Sequence, residues 1–490
     1  MFSKVLIANR GEIACRIIRT LRRLDIASVA VYHTADRAAP HVKLADEAVL
    51  LRAEVPTAAY LDQQQILAVG ARHAVDAIHP GYGFLSENAD FAEKTIAAGF
   101  AFIGPDPRSM RLMGDKIRAR TFAAEQGVPV APSAIQQGSL QEFIVAAAKV
   151  GFPLLIKAAA GGGGKGMRIV RTSAELEENA RTAAAEAQRY FGDGRVYAER
   201  FIERPRHIEV QVFGDGAGGA VHLHERECSV QRRYQKIIEE TPAPNLADAL
   251  KQKICSAATK LVCAARYKNA GTVEFMLAPQ GEFYFLEMNT RLQVEHPVTE
   301  MTLGLDLVEH QLRIAAGEGL SLEQDQLQQR GHAIEARICA EEPEHDFRPA
   351  VGRVGLLRIG HAEGIRFDTG IVEGQSITPA FDSMLAKMIA HADTRADAVK
   401  RLDNALSECT LLGVATNIDY LGRILRNEEF RAGRLHTDFL KEQAAHLTPP
   451  MPSHEQMSVA ALAAAFAEPA LRAEFFDMPE PQASMGHWRN

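Results

Sequence analysis

A chain of 490 residues is too long for one hydrophobic core and divides into about three or four domains. Hydrophobic residues at 47% and charged residues at 24% mark a soluble globular protein, and a net charge of −7 removes the cation excess that nucleic-acid binding requires. The six cysteines (Cys15, Cys228, Cys255, Cys263, Cys339, Cys409) form no CxxC pair, which argues against a disulfide framework or a structural zinc site. No stretch is long and apolar enough to span a bilayer, and the N-terminus enters a strand without a leader pattern, so a cytoplasmic protein without membrane contact is expected.

In chain order, Val5-Leu6-Ile7-Ala8 reads as a buried parallel strand. Ile13, Ile17, Ile18, Leu21 and Leu24 at helical spacing follow it, and Ser28–Tyr32 forms a second strand. This alternation predicts a doubly wound sheet, interrupted by the glycine-rich loop His79-Pro-Gly-Tyr-Gly-Phe84. From Lys116 the pattern changes: strands at 152–157, 167–170, 206–213, 271–276 and 282–288 predict an antiparallel, α+β-type domain. A third, mixed region starts near 331, with strands around 334–338 and 365–368 and helices near 395–407 and 417–428. In the tail, Ser453-His-Glu-Gln456 resembles a capping box opening an Ala-rich helix from Met457 to about Phe466. Pro469, Pro479 and Pro481 then break the pattern before Trp488-Arg489-Asn490.

Four segments carry chemistry. Lys157-Ala-Ala-Ala-Gly161-Gly162-Gly163-Gly164-Lys165-Gly166 is neither a dinucleotide fingerprint, since a strand follows it, nor a Walker loop, since Gly166 follows Lys165. It reads as a glycine turn between strands, able to close backbone N–H groups over phosphate. In Arg206–Val212, alternation puts His207, Glu209 and Gln211 on one strand face. The segment Glu225–Lys236 is dense in cations and amides and is interpretable only with partners. Glu274 on one strand and Glu287 and Asn289 on the next offer the hard oxygens that Mg²⁺ requires. Arg291, Gln293 and Glu295 continue that face if the backbone stays extended, and could hold a small oxyanion and take its proton.

Together these segments resemble the biotin carboxylase family of the ATP-grasp superfamily, over about residues 1 to 446. The resemblance rests on Ile7-Ala-Asn-Arg-Gly-Glu-Ile13, His79–Asn88, the tetraglycine loop, Arg226-Glu-Cys-Ser-Val-Gln-Arg232, Glu287–Arg291, Gln293-Val-Glu-His-Pro297 and Gly331-His-Ala-Ile-Glu-Ala-Arg337. It implies a Rossmann-like N-terminal (pre-ATP-grasp) domain over 1–114 and an ATP-grasp domain over 115–330 with a mobile glycine-rich lid at about 131–203. A C-terminal biotin carboxylase domain over 331–446 and a helical tail over 447–490 complete the chain.

The implied ATP site comprises Lys116, Lys157, Gly161, Gly162, Gly163, Gly164, Gly166, Glu199, Ile202, His207, Gln231, Tyr234, Glu274 and Glu287. Two Mg²⁺ (or Mn²⁺) ions are implied at Glu274, Glu287 and Asn289, and bicarbonate at Lys236, Arg291, Gln293 and Val294. Glu295 is implied as the base, Arg337 as the partner of the biotin enolate, and Tyr82 as a neighbour of the ureido ring; the catalytic set is then Glu295, Arg291, Arg337 and Lys236. Tyr234 departs from the family, which usually has His there, and should alter ATP affinity rather than abolish chemistry.

The implied reaction is carboxylation of carrier-bound biotin by ATP and bicarbonate through carboxyphosphate, with a biotin carboxyl carrier and a carboxyltransferase as partners and a homodimer or larger complex as the assembly. No Met-Lys-Met biotinylation motif is present, so biotin is a substrate held by another protein or domain. The stretch beyond 446 resembles acyl-CoA carboxylase α subunits of methylcrotonyl type, of which the chain would be a truncated form. Another ATP-grasp ligase making carbamoyl or acyl phosphates, and a silent ATP-binding scaffold, are the competing readings.

Overall fold

The computed structural model describes residues 1–158, 167–360, 362–450 and 453–467. They fall into two compact units, one of Met1–Leu447 and one from Thr448 onward. The first opens with β1 (Lys4–Ile7), α1 (Gly11–Arg23), β2 (Ala27–Tyr32), β3 (Glu47–Leu50), β4 (Ala77–His79) and β5 (Ala101–Phe102). The five strands run parallel in the order β3-β2-β1-β4-β5, as the alternation of apolar runs predicts. Both faces are apolar. Leu6, Val29 and Val31 pack with Ile66 and Phe91 on one side, and Val5 and Ile7 with Ile13, Ile17 and Leu21 of α1 on the other.

A four-stranded antiparallel sheet follows, built from β6 (Ser133–Ile135), β7 (Leu154–Ala158), β8 (Arg168–Val170) and β9 (Val196–Arg200) in the order β6-β9-β7-β8. Its core is Leu154, Ile156 and Val170 against Phe143, Leu176 and Ala180. Gly161, Gly162, Gly163, Gly164 and Gly166, between β7 and β8, lie outside the described residues, as does Trp488-Arg489-Asn490.

The largest element is an eight-stranded antiparallel sheet. It contains β10 (Arg206–Asp215), β11 (Ala220–Arg232), β12 (Gln235–Thr241), β13 (Lys268–Leu277), β14 (Phe283–Asn289) and β15 (His332–Cys339), then the strands Ile365–Thr369 and Met384–Ala392. The order is β14-β13-β10-β11-β12-β15, then Met384–Ala392, then Ile365–Thr369, so the sheet continues across residue 330 without a break. Period-two alternation sends Ile208, Val210, Val212, Val273 and Phe275 against the helix Asp248–Ala264. It sends Ile334, Ala336, Ala386 and Met388 into a core with Leu402 and Leu406 of the helix Arg395–Glu408. The residues between them, including His207, Glu209, Gln211, Glu274, Glu239, Glu335 and Lys387, are polar and equally buried.

The second unit contains the helix His454–Ala467. Its capping box forms as expected: Gln456 N donates to Ser453 Oγ at 3.1 Å and Ser453 N to Gln456 Oε1 at 2.9 Å. Among the described residues no helix is long and apolar enough to cross a membrane.

Candidate active site

Antiparallel register assembles the polar face. Glu274 on β13 stands opposite Glu287 on β14 and Glu209 on β10, and Glu209 stands opposite Arg226 on β11. Like charges placed side by side away from water require cations between them. Lys236 supplies one: its Nζ lies 2.5 Å from Glu209 Oε2, 3.0 Å from Glu274 Oε1 and 2.7 Å from Glu295 Oε1. Arg226, fully buried, supplies the other. It donates to Glu209 Oε1 (2.5 Å), Gln211 Oε1 (2.9 Å), Thr299 Oγ1 (3.0 Å), Gln293 Oε1 (3.0 Å) and Thr272 Oγ1 (3.3 Å).

Glu274 is the point of convergence. Its Oε1 also accepts from Asn289 Nδ2 at 2.7 Å and Gln293 Nε2 at 2.8 Å, and its Oε2 pairs with His207 Nε2 at 2.9 Å. Burial works against its charge, but Lys236 and His207 outweigh it and hold the carboxyl well below the usual range. In return, Glu274 raises His207 despite desolvation, and the three carboxylates raise Lys236 well above the usual lysine range despite the same penalty.

The stretch after β14 departs from expectation. The strand ends at Asn289, and Glu295 (φ −80°, ψ 8°) is the N-cap of the helix His296–Leu303, so Arg291, Gln293 and Glu295 do not continue an extended face. Leu292 is buried in the core and Pro297 sits in the first helical turn. His296 closes the bend on Gln293 O, with Nδ1 at 2.7 Å and N at 3.3 Å. Gln293 and Glu295 still reach the cluster, by a loop. Glu295 Oε2 accepts from Arg337 Nη2 at 3.0 Å, and Arg337 Nε donates to Glu239 Oε1 at 2.6 Å. Lys236, Arg337 and Arg226 together keep Glu295 well below the ordinary range against its burial. Arg291 joins from the side: Nη2 donates to Asn289 Oδ1 at 3.0 Å and Nε lies 3.2 Å from Glu87 Oε2.

The other expected residues form a neighbouring group. Lys157 on β7 forms an ion pair with Glu199 on β9, which Arg120 also meets at 3.1 Å, and Ile202 follows β9 half-buried. Lys116 Nζ lies 3.5 Å from Glu287 Oε2. Tyr197, lifted by burial and by Glu199, also feels Lys116 and Glu287, which ties this group to the large sheet. Gln231 is buried opposite Lys236. Tyr234 is exposed at the tip of the β11–β12 hairpin, where Arg233 (φ 48°) and Tyr234 (φ 69°) form a two-residue loop with both φ positive. Tyr82 is half-buried with its hydroxyl unpartnered, and its carbonyl accepts from Asn9 Nδ2 at 2.8 Å.

Glu274, Glu287 and Asn289 are hard-oxygen donors on adjacent strands, a set that fits Mg²⁺. Ligand atoms of His207, Glu209 and Glu274 also gather within 4.8 Å of one another. Sequence reasoning passed over Arg226 and Glu239 as site residues. Arg226 lies in a segment dense in cations and amides that is interpretable only with its partners, and Glu239 carries no signal beyond an acid within a β-run.

Three family models match in succession: "Biotin carboxylase, N-terminal domain" over 1–110, "Carbamoyl-phosphate synthase L chain, ATP binding domain" over 115–323, and "Biotin carboxylase C-terminal domain" over 335–442. The chain is similar to a biotin carboxylase of Nostoc sp., 49% identical over 90% of this chain and 99% of the relative. It is also similar to the mitochondrial methylcrotonoyl-CoA carboxylase subunit alpha of Mus musculus, 46% identical over 93% of this chain but 64% of the relative. Among solved structures, the biotin carboxylase domain dimer of Hydrogenobacter thermophilus 2-oxoglutarate carboxylase, in complex with MgADP, ADP and bicarbonate, aligns with a TM-score of 0.88. It is 42% identical over 92% of this chain and all of that one. A lysine-bearing strand layer beside a charged sheet face, with this ancestry, defines an ATP-dependent ligase of the ATP-grasp class. Within that class, the chain belongs to the biotin carboxylase family.

Proposed function

We propose that the chain carboxylates carrier-borne biotin with ATP and bicarbonate, and that the cluster around Lys236 and Glu295 is where bicarbonate is activated. The supporting observation is the single ammonium shared by Glu209, Glu274 and Glu295, with Arg337 on the far side of Glu295. Bicarbonate entering among Lys236, Arg291, Gln293 and the Val294 backbone draws Lys236 away from Glu295. The proton affinity of Glu295 then rises from its depressed state, and the carboxylate can take the bicarbonate proton. A bicarbonate oxygen bonds to the γ-phosphorus as the bond to ADP breaks; Lys116 and Lys157 are the lysines assigned to the phosphates. Magnesium at Glu274, Glu287 and Asn289 would supply further neutralisation of phosphate charge. Carboxyphosphate yields CO₂ and phosphate, phosphate takes the biotin N1′ proton, and Arg337 holds the enolate that attacks CO₂.

The assignment of nucleotide contacts to Glu199, Ile202, His207, Gln231, Tyr234 and the tetraglycine segment, and of the ureido ring to Tyr82, belongs to the same proposal. So does the division at 114, 330 and 446, which is a division of roles, because the large sheet is shared across 330. A biotin carboxyl carrier, a carboxyltransferase and a second copy of the chain are the proposed partners. The likeness to methylcrotonoyl-CoA carboxylase subunits supports an acyl-CoA carboxylase context. Six free thiols support a reducing compartment such as the cytoplasm.

The test is phosphate release from ATP. It should require bicarbonate, be stimulated by free biotin, and fall by at least about 10²-fold in Glu295→Gln and Arg337→Ala, the range for loss of a positioned acid–base or charge-stabilising group. Release indifferent to bicarbonate and biotin would favour a different ATP-grasp ligase.

A further inference from the structure

Behind the loop that carries Gln293, Val294 and Glu295 stands a cation with no part in the scheme above. Lys387 sits in the centre of the strand Met384–Ala392, within the otherwise apolar run Met-Leu-Ala-Lys-Met-Ile-Ala, and is fully buried. Register places it beside Arg337 on β15 and Asp368 on the strand Ile365–Thr369. Its Nζ donates to the carbonyl oxygen of Val294, lies 3.4 Å from Glu12 Oε1 and is 5.9 Å from the centroid of the Tyr82 ring. Glu12, in the first turn of α1, is itself buried, and neither of its oxygens makes a hydrogen bond.

A methionine or leucine would fill the same space without the desolvation penalty of an ammonium, so packing does not call for this charge. What the charge does make is a bond to one backbone carbonyl. That carbonyl lies between Gln293, whose amide donates to Glu274, and Glu295, whose carboxylate meets Lys236 and Arg337. The loop has left the sheet at Asn289 and has no ladder to hold it, so a donor reaching up from a distant strand of the same sheet fixes the peptide on which both side chains depend. Glu12 supplies counter-charge from the N-terminal helix.

We propose that Lys387 is a positioning residue for the anion pocket, holding the Val294 carbonyl so that Gln293 and Glu295 meet bicarbonate in register. The proposal rests on the reading of 291–295 as the bicarbonate loop. In Lys387→Met, the bicarbonate KM of ATP cleavage should rise about tenfold or more, the worth of a charge-assisted hydrogen bond, with the ATP KM unchanged. Because that variant leaves Glu12 buried without its cation, its thermal midpoint should drop. The Glu12→Gln/Lys387→Met double variant removes both charges and should recover the midpoint while its bicarbonate KM stays raised. Recovery of the bicarbonate KM in the double variant, or an equal rise in Glu12→Gln alone, would overturn the positioning role. An unchanged bicarbonate KM in Lys387→Met, with the wild type bicarbonate-dependent, would overturn it alone. A wild type indifferent to bicarbonate would bring down the site reading and the positioning role with it.

Discussion

The parallel sheet of β1–β5 and the eight-stranded antiparallel sheet are both buried on two faces, by opposite means. Around β1, alternate residues go to two apolar cores, Val5 and Ile7 to one and Leu6 and Ala8 to the other, so the sheet is held by area removed from water. Along β10, Ile208, Val210 and Val212 go to one apolar core and Phe213 to another, while His207, Glu209 and Gln211 are just as enclosed and depend on polar partners: His207 on Glu274, Glu209 on Arg226 and Lys236, and Gln211 on Arg226. One sheet is a scaffold that tolerates any close-packed solution. The other is a network in which each member leaves an unpaired neighbour when it goes.

The two should therefore break differently. Arg226→Leu removes the donor to five acceptors and leaves Glu209 and Gln293 short of partners. A loss of about 3–5 kcal/mol in urea unfolding is expected, together with loss of ATP cleavage even where the variant folds. Leu6→Ala in the parallel sheet should cost about 2–5 kcal/mol by leaving a cavity, with bicarbonate and ATP KM values unchanged below the unfolding transition. A stable but inactive Leu6→Ala, or an active Arg226→Leu, would erase the distinction.

A smaller effect separates the sheets by pH. Burial lifts Glu239 from 4.5 to about 7, against the pull of Arg337 and with the push of Glu295; Lys236 faces it as well, and Glu335 stands opposite on β15. Because the folded value lies above the unfolded one, the folded protein binds more protons between the two. The stability Glu239 contributes is therefore complete below pH 4.5 and is lost as pH rises toward about 7. Glu239→Gln should flatten that decline in unfolding free energy measured by urea from pH 5 to 8, whereas Leu6→Ala should leave its slope as it is. A decline equally steep in Glu239→Gln would assign it elsewhere.

This contrast also explains what was legible in the sequence. Apolar periodicity is local, so β1, α1 and β2 could be read directly, and so could the alternating face of β10 with His207, Glu209 and Gln211. The oxygen-bearing pair Glu274 and Glu287 was legible because two adjacent strands fixed its register. The bend after Asn289 was not, because it is imposed by the burial of Leu292 and by His296 closing on Gln293, neither of which has a periodic signature. Arg226 could not be distinguished from a solvated cation, since its acceptors come from β10, β13, the 290–295 loop and the helix His296–Leu303. A lone lysine in the apolar run around Lys387 was a signal, but its counter-charge is on α1, at the other end of the chain.

The account stands on a carbon oxyanion bonding to phosphorus beside Lys236 and Glu295, and following the oxygen tests this most directly. With ¹⁸O-labelled bicarbonate and free biotin, one labelled oxygen should appear in the phosphate released, at a rate that falls together with turnover in Glu295→Gln. Phosphate free of label while carboxybiotin accumulates would contradict it.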